Sequence, residues 1–225
     1  MTESLPREII RSKRKTLALE ITPEAALIVR APQKTPLETI DAFIREKLPW
    51  IIKKQRIAKN TYQPPVKKEF IDGERFLYLG NWRALCIVNG GDEPFLFDGE
   101  KFLLSQRHIS EARWLFLAWY KEQAVDILSQ RVKFYAAHTG LKCNKINITN
   151  ASKRCGSCNS KGRINFSWRL IMAPMEVIDY VVIHELVHLE EHNHSQEFWQ
   201  KVGLLMPLYQ QAKNWLQSNF YVLFI

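Results

Sequence analysis

Two histidines four residues apart with a glutamate between them, His184-Glu185-Leu186-Val187-His188, have the types and spacing best suited to chemistry in this chain. On a helix, positions i and i+4 share a face about 6 Å apart along the axis, so both imidazoles reach one metal ion. Glu185 stands beside the first of them, where it can take a proton from a metal-bound water without being a ligand itself. The pattern predicts a zinc site that activates water for hydrolysis, with Glu185 as general base.

Two histidines are half of a site, because a catalytic zinc keeps three protein ligands and an open fourth position. His194 follows Asn193, where a turn would swing the chain back under the metal, and Ser195 would then cap a further helix and fix it. His192 lies one helical turn beyond His188 and is expected to support a ligand or face solvent. His194 is therefore favoured, while Glu190, Glu191 and Glu197 are near enough in sequence to compete. Hydrolysis also calls for a donor to the oxyanion, and Tyr209, Tyr180, His192 and Arg154 are the candidates, with Tyr209 put forward.

These residues need elements to carry them. Val177, Val181, Leu186 and Val187 surround the histidines with apolar surface, so the motif belongs to a buried helix that opens near Pro174 and stops at Asn193. Upstream, apolar periodicity predicts a long helix over 110–138, ending before Thr139-Gly140, with strands near 145–149 and 163–166. The turn pairs Asp72-Gly73, Gly80-Asn81, Asn89-Gly90-Gly91 and Asp98-Gly99 predict an antiparallel meander of about four strands. Nearer the start, a hairpin turning at Thr22-Pro23-Glu24 joins strands at 16–21 and 26–30, and a helix covers 37–59 with a bend at Pro49. Strands dominate early and helices late, so the expected class is α+β: a β-rich region with one helix over 1–107, then a helical hydrolase domain with a small antiparallel sheet over 108–225.

The 225 residues, 46% hydrophobic and 24% charged, describe a globular chain with a substantial core and argue against disorder. No apolar run reaches the length of a membrane span, and Met1 to Lys15 lacks the apolar stretch of an export signal, so no membrane partner and a cytoplasmic location are expected. Cys86, Cys143, Cys155 and Cys158 are then expected as reduced thiols. The net charge of +9 concentrates in 127–175, which holds no acidic residue, so nucleotides or nucleic acid are possible partners of that segment.

Beyond the metal motif, Arg154-Cys155-Gly156-Ser157-Cys158, Asn165-Phe166-Ser167-Trp168-Arg169-Leu170, Ala173-Pro174, Asp179-Tyr180-Val181-Val182 and Asn193-His194-Ser195 with Phe198-Trp199 resemble the YgjP-like family of metallopeptidases, relatives of the SprT-like minimal gluzincins. The resemblance is strongest over 143–216 and extends to 11–30. It implies a zincin-like catalytic unit, Zn2+ held by His184, His188 and His194, Glu185 as general base, and a peptide or protein substrate. The family usually has Trp where this chain has Cys155. The segment around Gly156 is expected to form a turn and strand beside the site, with Arg154 placed to bind an anionic group of the substrate. Two alternatives stay open: a nucleotide pyrophosphatase using the same metal, with phosphates held by the basic segment, and, by analogy with the SprT-like relatives, a protease recruited to DNA by that segment.

Overall fold

The computed structural model describes residues 7–22, 24–61, 67–90 and 93–223. Pro23 and Gly91, which belong to two of the expected turns, lie outside them. The chain divides into two compact units, 1–64 and 65–225.

In the first unit, β1 (Arg7–Ser12), β2 (Ala18–Ile21) and β3 (Leu27–Pro32) form a sheet of order β1-β3-β2. The antiparallel β2–β3 pair is the expected hairpin, and β1 joins in parallel on the other side of β3. Alternate residues of β3, Leu27, Val29 and Ala31, are buried with Ile40, Ile44 and Ile51 of the following helices. Instead of one bent helix there are two, α1 (Leu37–Glu46) and α2 (Leu48–Thr61), parted at Lys47, where φ −94° and ψ 8° leave the helical region. Pro49 then sits in the first turn of α2, where its missing N–H costs nothing.

The second unit opens with β4 (Arg75–Tyr78), β5 (Asn81–Val88), β6 (Phe95–Phe97) and β7 (Phe102–Ser105). Their order, β4-β5-β7-β6, departs from the expected meander, because β7 lies parallel to β5. Asp98 Oδ1 accepts from the amides of Glu100 and Lys101, and Gly99 takes φ 100°, so a tight turn folds β7 back between β5 and β6. There Phe102 and Leu104 are fully buried. The aromatic side chains of these strands pack on α3 (Ala112–Thr139): Phe76 and Phe102 lie 4.2 and 5.0 Å from Phe116, and Tyr120 donates to Leu77 O at 2.7 Å. This shared core places the division between units at 64/65, upstream of the 107/108 boundary read from the pattern of elements. Helix α3 ends, as expected, on Gly140 in the left-handed region.

Next come β8 (Lys145–Thr149), β9 (Gly156–Cys158) and β10 (Arg163–Ser167) in the order β8-β10-β9, with β10 parallel to β8 and antiparallel to β9. A 3-10 turn, Trp168–Met172, leads into α4 (Met175–Val187), whose sides are almost all buried. Two contacts fix α4. Gly80, at φ +78°, lets the β4–β5 turn lie against Pro174, where a Cβ would fall 2.8 Å from the ring. Arg131 of α3 grips Asp179 through two bonds, Nε at 2.5 Å and Nη2 at 2.8 Å. Helices α5 (Gln196–Leu205) and α6 (Tyr209–Asn219) close the unit. The mixed α+β class is thus as expected, and no helix among the described residues is long and apolar enough to cross a membrane.

Candidate metal centre

Helix α4 stops earlier than expected, at Val187, with His188 as its C-terminal cap instead of a stop at Asn193. The histidines themselves close its last turn. His188 Nδ1 meets Glu191 O at 2.8 Å and His192 Nδ1 meets His188 O at 3.0 Å. Glu190 and Glu191, unfavourable beside the negative end of a helix, are both held by Lys201 Nζ at 2.8 Å. Ser195 then caps α5, its hydroxyl accepting from Phe198 N at 3.3 Å. Between the end of α4 and that cap, the turn returns His194 to α4.

The result is a convergence of three ring nitrogens. His194 Nε2 lies 3.0 Å from His184 Nε2 and 3.2 Å from His188 Nε2. Two ligands of a tetrahedral zinc with Zn–N near 2.0–2.1 Å stand about 3.3 Å apart, so the spacing suits one small cation. The protonation state suits it too. A carbonyl accepts only from N–H, so the bond to Glu191 O makes His188 Nδ1 the donor and leaves Nε2 facing the other rings. Burial first, then the neighbouring His188 and His194, push His184 down to about 3, and burial lowers His194 as well; both rings are kept neutral, the form that ligates. Phe198 supports the set from beneath, with its ring 4.5–4.9 Å from all three imidazoles.

Glu185 is 5% exposed, and its Oε2 has no hydrogen-bond partner among the described residues; His184 Nδ1 is likewise buried and unpartnered among them. Two orphaned polar atoms beside three facing ring nitrogens fit a site built around a bound cation and water. Burial raises the Glu185 carboxyl to about 8, with Arg154 opposing the shift. Strand β9 forms the wall. A Cβ on Gly156 would fall 2.5 Å from Glu185 Oε1 and 2.7 Å from its Cγ, so only glycine lets β9 lie this close. The histidines, Glu185 and residues 156–160 line an open cleft of about 540 Å³.

A family model described as YgjP-like, metallopeptidase domain, matches residues 15–219. The chain belongs to the YgjP-like family. Among solved structures, that of the metallopeptidase zymogen of Pyrococcus abyssi abylysin is similar at 20% identity over 40% of this chain and 92% of its own, with a TM-score of 0.38. No curated protein matches.

In this YgjP-like chain the other expected site residues separate. His192 lines the cleft but is tied to the backbone of His188, and its ring is absent from the group of three that could hold a metal. Arg154 stands just before β9, exposed, bordering a second pocket that shares Gly156 and Ser157 with the cleft. Tyr209 stacks on Trp199 at 5.5 Å and faces Tyr180 at 6.4 Å, while Trp199 stacks on His194 at 5.6 Å and Tyr180 meets His184 at 5.8 Å. Cys155 is buried and pushed up to about 12 by burial and then by Glu185; Cys158 rises to about 11, first through burial. Both stay protonated and unreactive at neutral pH. Part of the basic segment is used inside the fold: Arg131 on Asp179, and Arg169 over Trp168 with a bond to Asn150 O.

Sequence reasoning missed Lys213, which sits 3.8 Å over the Trp199 ring and helps keep His184 and His194 neutral. Its position on α6, far along the chain from the motif, leaves no local signal.

Proposed function

We propose that this chain is a zinc metallopeptidase, and the observation that carries the reading is the convergence of three imidazole Nε2 atoms beside a buried carboxylate. His184, His188 and His194 would hold the metal; three imidazole nitrogens suit zinc. When bound, zinc lowers the pKa of water and polarises a carbonyl. Glu185 accepts the proton of the attacking water and delivers it to the leaving amine. The raised proton affinity given by burial suits the donor task, and the positive charge of a bound cation would favour the ionised form that accepts the proton. Gly156 holds the strand against Glu185 and so restricts where its carboxylate can point. For Tyr209 we propose hydrogen bonding to the oxyanion, supported by the run of ring contacts from His194 through Trp199. Arg154, at the rim, is proposed to bind an anionic group of the substrate.

The test combines metal analysis with turnover. Purified protein is expected to carry one zinc per chain and to cleave peptides from a mixed library. Glu185→Gln should retain the zinc and lose about a thousandfold in kcat, and Tyr209→Phe should lose about a hundredfold with its metal intact. Full activity of Glu185→Gln, or phosphate release from nucleoside triphosphates with no peptide cleaved, overturns the reading.

A further inference from the structure

We propose that the pocket beside β9 is a subsite for an acidic side chain of the peptide substrate and that Arg154 is the residue that selects it; this deepens the peptidase reading and rests on it. The pocket, about 270 Å³, is walled by polar side chains whose hydrogen bonds can be counted. Thr149 donates its hydroxyl proton to Phe166 O at 3.1 Å, and Ser167 donates to Ala151 O at 2.6 Å. Asn165 accepts from Asn147 Nδ2 at 2.9 Å and donates to Ser157 Oγ at 3.2 Å. The Arg154 guanidinium and the Ser157 hydroxyl proton have no protein acceptor among the described residues. No carboxylate lines the pocket, and Arg154 makes no ion pair among the described residues. A recess whose guanidinium makes no ion pair and whose hydroxyl proton is free is complementary to a single carboxylate, which accepts from both.

Position makes the recess relevant to cleavage. Gly156 and Ser157 line both this pocket and the cleft that holds Glu185 and the histidines, so a peptide in the cleft can place one side chain next to the reacting bond into the recess. One guanidinium matches the charge of Asp or Glu. A triphosphate would need several such cations, and no other cationic side chain among the described residues lines the pocket.

The experiment compares zinc-loaded protein on peptide sets that differ only by Glu, Gln or Lys at each position flanking the cleaved bond. Wild type is expected to favour Glu over Gln by about tenfold in kcat/KM at one position. Arg154→Ala should bring that ratio near one, and Arg154→Glu should turn it toward Lys. Lys153→Ala, the neighbouring residue outside the pocket, should keep the wild-type ratio. Binding of the same peptides to Glu185→Gln protein, followed by fluorescence anisotropy, separates the two levels of inference. Cleavage without an acidic preference, or a preference that survives Arg154→Ala, overturns the subsite and leaves the peptidase reading standing. Arg154-dependent binding of the acidic peptide with no cleavage by wild type overturns the peptidase reading and leaves the pocket's selectivity standing. Loss in Arg154→Ala of nucleotide binding alone, with peptides unaffected, overturns the subsite in favour of phosphate.

Discussion

Glu185 is positioned by space more than by hydrogen bonds: its Oε2 has no partner among the described residues, and its carbon chain fills the room left by the absent side chain of Gly156. Gly156→Ala would put a methyl group 2.7 Å from Cγ and 2.8 Å from Cδ, so the glutamate or the strand must move. Turnover is expected to fall about a hundredfold, since catalytic groups lose that much when displaced by about 1 Å. Zinc content measured alongside kcat checks it; unchanged kcat would show that the gap is not needed. Two residues of the site also titrate in opposite senses once the metal is chelated. His184 is held near 3 against an ordinary 6.5, so between those values the unfolded chain binds a proton that the folded chain refuses, and stability drops as pH falls through that window. Glu185 is raised from 4.5 to about 8, so the folded chain keeps a proton that the unfolded chain loses, and stability drops as pH rises through that window. The metal-free protein is therefore expected to be most stable where the windows overlap, between 4.5 and 6.5. Urea midpoints from about pH 4 to about pH 8 measure this, and in Glu185→Gln the alkaline decline should disappear.

At the scale of elements, the centre depends on a helix that ends early and a turn that returns. Ser195 fixes the start of α5 directly after His194. Ser195→Ala is expected to cost about 1 kcal/mol of stability and to weaken zinc affinity, because the third imidazole loses its anchor; thermal melting with and without zinc, plus competition with a chromogenic chelator, reads both. The elements were unequally legible. Helices α3 and α4 and the β2–β3 hairpin follow from apolar periodicity, which is local. Strand β1 does not: its sequence is charged and weakly patterned, and it is a strand because β3 pairs with it. Strand β9, only three residues long, is the strand expected around Gly156, and its pairing with β10 holds it there. The parallel placement of β7 against β5 escaped for the same reason as β1: turn residues announce a reversal but not which strand receives it.

Across the whole molecule, the two units have separate cores, one around Leu27, Val29, Ile40 and Ile51 and the other around Phe76, Phe102, Phe116 and Trp168. The three histidines that could hold a metal all belong to the second. Zinc bound only by the folded state stabilises it, by about 4 kcal/mol at a thousandfold excess over Kd. Chelation is expected to speed hydrogen exchange in α4 and α5 while leaving the amides of β3 unchanged. Mass-spectrometric exchange on the full chain measures this, and equal acceleration in both units would show that they unfold together.

The sequence by itself determined which side chains of the motif come together, because a helix of fixed pitch brings His184 and His188 onto one face with Glu185 beside them. It also favoured His194 and carried enough of the YgjP-like pattern to indicate the family. Only the tertiary structure decided how the site is closed. The approach of β9 to within reach of Glu185, the pocket it shares with Arg154, and the stack of Trp199 and Tyr209 beside the histidines join residues far apart in the chain. Such contacts are set by packing across elements, and neither periodicity nor spacing encodes them.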